Sequence, residues 1–177
     1  MTISCYASLV ALLQRSQQEH DQANHGDIFT LHAFEKLKHF HVHFSKYVGR
    51  MAGVNLNTLA GMNQIWPTVV DTALICLSAA NCLKIKLDEL VPPEVGDELT
   101  STQTAQHLFT QLAVATGHIA KAIDGHDHME SVNVRTQCQP ALVQIMCAVL
   151  VHARNTDTDL VAAVEARRQE IRRKKLY

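Results

Sequence analysis

Residues 117–124 read GHIAKAID, and residues 49–56 read GRMAGVNL. Each Gly-x-apolar-Ala group closes a long stretch whose apolar residues recur every three or four positions, the pattern of an amphipathic helix. One chain that writes the same helix ending twice points to a repeated helical unit. Sliding the chain along itself until His39 falls on His107 also sets Phe40 on Leu108, Phe44 on Leu112, Gly49 on Gly117 and Ala52 on Ala120. The helices that follow align at a slightly larger offset, with Asp71 on Gln144, Leu77 on Leu150 and Leu87 on Leu160. A longer loop in the second half accounts for the difference.

The pattern predicts six helices, near 3–20, 31–53, 67–83, 101–123, 138–154 and 157–175. The second and fourth are amphipathic. The third and fifth, VVDTALICLSAANCL and ALVQIMCAVLVHA, are apolar on nearly every face, which requires burial between other helices. NLNTLAGMNQIWP reads as irregular, with Pro67 in the first turn of the helix after it. KIKLDELVPPEVGDELTS, with Pro92, Pro93 and Gly96, reads as a connection. The fold expected is all-α in a single domain, 1–177. Two tandem helix–loop–helix repeats, about 31–90 and 100–175, form a four-helix-bundle core with extra N- and C-terminal helices. Gly49 and Gly117 are expected at equivalent close helix crossings.

The bulk numbers agree with this and exclude several function classes. The chain has 177 residues, 47% of them apolar, with seven Gly, four Pro and a net charge of −1. So few turn formers favour long helices. The near-neutral charge argues against a dedicated nucleic-acid binder. No unbroken apolar run reaches the ~18 residues that would span a bilayer, and the N-terminus lacks the basic region of a secretion signal. Five cysteines, an odd number with no CxxC, suggest a reduced, cytoplasmic protein and argue against a cysteine zinc site.

GHIAKAI, a loop, a buried helix and then DLVAAVEARRQEIRRKKLY together resemble the MazG-like all-α nucleoside triphosphate pyrophosphohydrolases. GRMAG, VVDTALICLSAAN and IKLDEL occupy the same slots in the first half. Members of that family carry EExGELAKAI on one helix, ExxD on the next and a basic tail. The resemblance implies that such carboxylates hold Mg²⁺ on a triphosphate and position a water. Carried over one by one, the first motif falls on Lys46, Tyr47 and Arg50, and in the second half on Val114, Ala115 and His118. ExxD falls on Thr68 and Asp71, then on Ala141 and Gln144. Asp71 alone is acidic, so it is the one candidate metal ligand, and the usual hydrolytic site is incomplete.

A different stripe occupies the helix. His39, His43, Lys46 and Arg50 are spaced by four, three and four, on one face. His107 and His118 belong to the matching stripe. Such a groove suits an anion held by charge-assisted hydrogen bonds, and Arg172 and Arg173 of the basic tail are candidates for further phosphate contacts. The reading is a MazG-like protein that binds a nucleotide or other phosphorylated small molecule without catalysis. Two alternatives stay open. One is an active pyrophosphohydrolase using Mg²⁺ on ligands not recognised here. The other is a structural or partner-binding bundle, with room for a homo-oligomer. His39 and His43 also have the i, i+4 spacing of a metal pair, with His32, His107 or His118 as a third ligand. The His20–Asp21 and His126–Asp127 pairs fall at polar breaks and read as loop residues.

Overall fold

The computed structural model describes residues 4–56, 58–92 and 100–175. Pro93 and Gly96 lie outside them. The chain is all-α. Its helices are α1 (Ser4–Asn24), α2 (Gly26–Phe29), α3 (Ala33–Ala52), α4 (Leu59–Cys82), α5 (Ser101–Asp127), α6 (Val134–Asn155) and α7 (Leu160–Lys175), with a 3-10 turn at Leu87–Glu89. No strand occurs among the described residues.

Local chemistry sets the boundaries. Thr100 and Gln103 form a reciprocal capping box at the start of α5. Asn133 accepts the Thr136 amide at 3.1 Å to open α6, and Thr58 accepts the Gly61 amide at 3.1 Å to open α4. This Thr58 cap explains one departure from expectation. The helix begins at Leu59, so Pro67 lies inside it and not in its first turn. Gly61 permits that start, because a Cβ there would collide with the carbonyl of Asn55. Pro140 is likewise inside α6. Both prolines are exposed, where water can serve the carbonyls their missing N–H groups leave free.

α3 buries Leu37, Phe40, Phe44, Tyr47 and Met51, a stripe with alternating spacings of three and four. α5 buries Ala105, Leu108, Leu112, Ala115 and Ile119, the residues that fall on those five when His39 is set on His107. The two stripes face one another, since α3 packs on α5, while α4 packs on α6 and each hairpin closes on itself. The helices α4 and α6 also end alike. Lys84 (φ 54°) and Asp157 (φ 48°) are left-handed residues at matching places, in the register that sets Asp71 on Gln144. Beyond them, the amides of Ile85 and Thr158 reach back to the carbonyls of Ala80 and Ala153, both at 2.9 Å. The expected close crossings at Gly49 and Gly117 are absent. A Cβ at either would meet nothing within 4 Å, because both face away from the buried seam.

α4 and α6 are long and apolar enough by composition to cross a membrane. Most of the α4 stretch is buried among other helices, as a bundle's central helix must be. The halves differ in what surrounds them. α1 packs on α4 and on the 3-10 turn, α7 packs on α4 and α1, and α2 follows α1. Gln14 fastens α1 by donating to Ile85 O at 2.7 Å and accepting from the Leu87 amide at 3.1 Å.

Candidate functional site

The extra helices enclose a cavity of about 430 Å³ against the first hairpin. Its long wall is one face of α3, from Ala33 through Lys36, His39, His43 and Lys46 to Arg50. α4 supplies Asp71, Leu74, Ile75 and Ser78, α1 supplies Gln17, His20 and Asp21, and α7 supplies Arg167 and Ile171. Helical periodicity builds the wall directly. The buried seam of α3 faces α5, and the stripe one step around the helix, His39–His43–Lys46–Arg50, turns toward α1 and α7.

His39, His43, Lys46 and Arg50 therefore come together as lining residues. The rings of His39 and His43 lie 4.7 Å apart. Lys46 Nζ lies 3.0 Å from His43 Nδ1, and the Tyr47 hydroxyl 3.2 Å from it. An ammonium has only donors, so Nδ1 accepts and the neutral ring carries its proton on Nε2. Burial, helped by Lys46, pushes His43 down to about 4 and lowers His39 as well. Near neutral pH His43 is therefore uncharged, and the positive charge of the stripe sits on Lys46 and Arg50. Both cations also lie near the ring of Tyr47, at 5.1 and 5.8 Å from its centroid.

Asp71 is buried on the opposite wall. It accepts from Arg167 Nε at 2.6 Å and Nη2 at 3.0 Å, a two-pronged pair, with Arg50 at 3.8 Å. Arg167 reaches Glu170 as well, at 2.7 Å. The carboxylate suggested as a metal ligand is thus engaged by guanidinium groups. No cluster of three or more His, Cys, Asp or Glu suited to a metal ion is found among the described residues. In particular His32, His107 and His118 do not join His39 and His43 in the cavity.

Four expected anion-binding residues lie elsewhere. His107 is half-buried and His118 exposed on α5, which does not line the cavity. Arg172 and Arg173 are exposed on α7, and Arg172 pairs with Glu165. The inward stripe of α7 runs instead through Leu160, Val164, Arg168 and Ile171, with Arg167 at its margin. Leu160 and Val164 are an apolar pair at i, i+4, and extending that spacing by one step along the tail selects Arg168.

The pairs read as loop residues are helical. α1 continues to Asn24 and places His20 and Asp21 on the cavity wall. His20 is buried and pushed down to about 4, chiefly by burial, and its Nε2 has no partner. Burial raises the Asp21 carboxyl, opposed by hydrogen bonds from Ser78 at 2.6 Å and Gln17 at 2.8 Å. His126 and Asp127 end α5, where His126 lies against Phe34 and Asp127 pairs with Lys38 at 2.9 Å.

No family model matches the chain, and neither a curated protein nor a solved structure does.

Proposed function

We propose that this cavity binds a phosphorylated small molecule, a nucleotide among the candidates, through side-chain cations without a metal ion, and that it does not hydrolyse it. One observation carries the reading. Lys46 and Arg50 line the cavity beside Arg167, and the nearest carboxylate, Asp71, is already held by Arg167. That leaves the Arg50 end with surplus positive charge. By the MazG-like alignment, Lys46 and Arg50 stand where acidic residues would gather Mg²⁺ around a triphosphate, so fixed cations take over the neutralising role. With Asp71 held by Arg167 and no group of three or more metal-binding side chains among the described residues, binding or regulation suits the site better than turnover. A reducing, cytoplasmic setting belongs to the same proposal, and Cys76, Cys82, Cys138 and Cys147 are free thiols.

The test is thermal unfolding with inorganic pyrophosphate, AMP or ATP, each in EDTA and then with Mg²⁺ or Mn²⁺. A ligand at ten times its Kd stabilises by about 1.4 kcal/mol, roughly 3–6 °C for a chain of this size. The proposal expects such a rise in EDTA, lost in Arg50→Ala. A rise that requires the divalent ion, accompanied by release of pyrophosphate from ATP, would replace it with the hydrolase reading.

A further inference from the structure

The cavity is polarised along its length. Arg50 faces Asp71 at one end. At the other, the Cys82 thiol donates to the Ala33 carbonyl at 3.4 Å. The stretch of α3 from Ala33 to Arg50 is about 26 Å of helix. The cavity is therefore a long slot with an anion-seeking end.

Away from that end most polar groups of the walls are already paired with one another, the exception being His20, whose Nε2 has no partner. The Gln17 amide donates to Asp21 at 2.8 Å and to Ser78 at 3.2 Å, and its oxygen accepts from buried Arg168 at 3.0 Å. Ser78 donates to Asp21 at 2.6 Å. Asn81 exchanges two hydrogen bonds with Gln14, each at 3.0 Å. The Lys36 ammonium sits 4.7 Å from the centre of the Phe29 ring. A nucleobase or sugar desolvated there would find few open donors or acceptors, and its own polar groups would go unpaired at a cost of about 1–3 kcal/mol each. Past Lys46 and Arg50 the slot offers mainly apolar surface, from Ile28, Phe29, Phe40, Leu74 and Ile75, with His20, Lys36 and His39 set among it.

We infer that the molecule fitting this slot is an elongated amphiphile of the alkyl phosphate class, with its phosphate on Lys46 and Arg50 and its chain along Ile75, Phe40 and Phe29. This rests on the anion-binding proposal and narrows it, for it takes the nucleoside out of first place.

Calorimetric titration in EDTA with inorganic phosphate, ethyl, butyl and hexyl phosphate, and AMP separates the two levels. Each buried methylene adds at most about fourfold in affinity. The inference expects at least a tenfold gain from ethyl to hexyl phosphate and weaker binding of AMP than of hexyl phosphate. Phe29→Ser, at an exposed position, should reduce hexyl phosphate affinity about threefold or more and leave ethyl phosphate unchanged. Ile75→Thr should do the same from the opposite wall. Equal affinities along the alkyl series, or AMP binding more tightly than hexyl phosphate, would overturn the amphiphile and leave the anion site standing. Failure of every phosphate compound to bind would overturn the anion site and this inference with it.

Discussion

The two hairpins share a seam and differ in what lies beside it. α3 and α5 bury matching stripes, and α4 and α6 end in matching left-handed turns. On α3 the neighbouring stripe carries His39, His43, Lys46 and Arg50, roofed by α1 and α7 into a cavity. On α5 the matching stripe carries His107, Gln111, Val114 and His118. There Gln144 simply donates to Gln111 at 2.7 Å, where Asp71 on α4 receives a guanidinium. One scaffold thus supports a charged slot on one side and a neutral helix contact on the other. The seam fixes the fold, while the stripe one step around the helix is free to take on a site.

The largest expected effect comes from exchanging groups at that equivalent pair. Asp71→Asn keeps the shape but removes the buried carboxylate that ties Arg167 of α7 to α4, leaving Arg167 with exposed Glu170 as its counter-charge. Since Arg167 is partly exposed, the cost should be about 2–3 kcal/mol in urea unfolding, below that of a wholly buried pair. Gln144→Ala removes one neutral hydrogen bond and should cost about 1 kcal/mol or less. Equal costs would mean that α7 is not held through Asp71.

Acid should sharpen the contrast. His20 and His43 in the cavity, and His152 beneath Trp66 in the second hairpin, are each pushed from 6.5 to about 4, mainly by burial. The unfolded chain binds these protons near pH 6.5, whereas the folded chain resists them until near pH 4. Stability is therefore full above about pH 6.5 and falls as the pH drops toward 4. Urea midpoints at pH 7 and pH 5 should differ in that direction, and His43→Gln should narrow the gap. A gap unchanged by that substitution would place the acid sensitivity outside the cavity.

Smaller effects probe the likeness between the hairpins. Lys84→Gly and Asp157→Gly relieve left-handed backbone at matching helix ends, and each should stabilise by about 1 kcal/mol. Gly49→Ala and Gly117→Ala meet open space on exposed helix faces and should each add about 0.5–1 kcal/mol. Gly61→Ala should destabilise, because the Asn55 carbonyl occupies its Cβ position. If Gly49→Ala stabilises and Gly117→Ala destabilises, the two first helices are less alike than their seams indicate.

Much of this is legible in the sequence, and the exceptions have physical causes. The apolar spacing on α3 and α5 marks which faces are buried, and with them the all-α fold and the His39–Arg50 stripe. The helix starts are harder. The Thr58 cap lies well before Pro67, and a proline is easily read as a boundary when its helix can absorb it on a solvated face. His20 and Asp21 look like loop residues because α1 becomes polar as it passes the cavity, where polar residues are the ones needed. The partnership of Arg167 with Asp71 spans 96 positions, and nothing local in either segment signals it. His107 and His118 are drawn in by their register with His39 and Arg50. Sharing a register with a site does not bring the helices that enclose it.

Phosphate binding in the first hairpin by Lys46 and Arg50 is tested most directly by titrating hexyl phosphate, in EDTA, into the wild type, Lys46→Ala/Arg50→Ala and Gln111→Ala/His118→Ala. Loss of charge-assisted bonds should weaken binding in the first double variant by about 10–100-fold, with no change in the second. Equal losses in both variants, or undiminished binding without Lys46 and Arg50, would contradict the account.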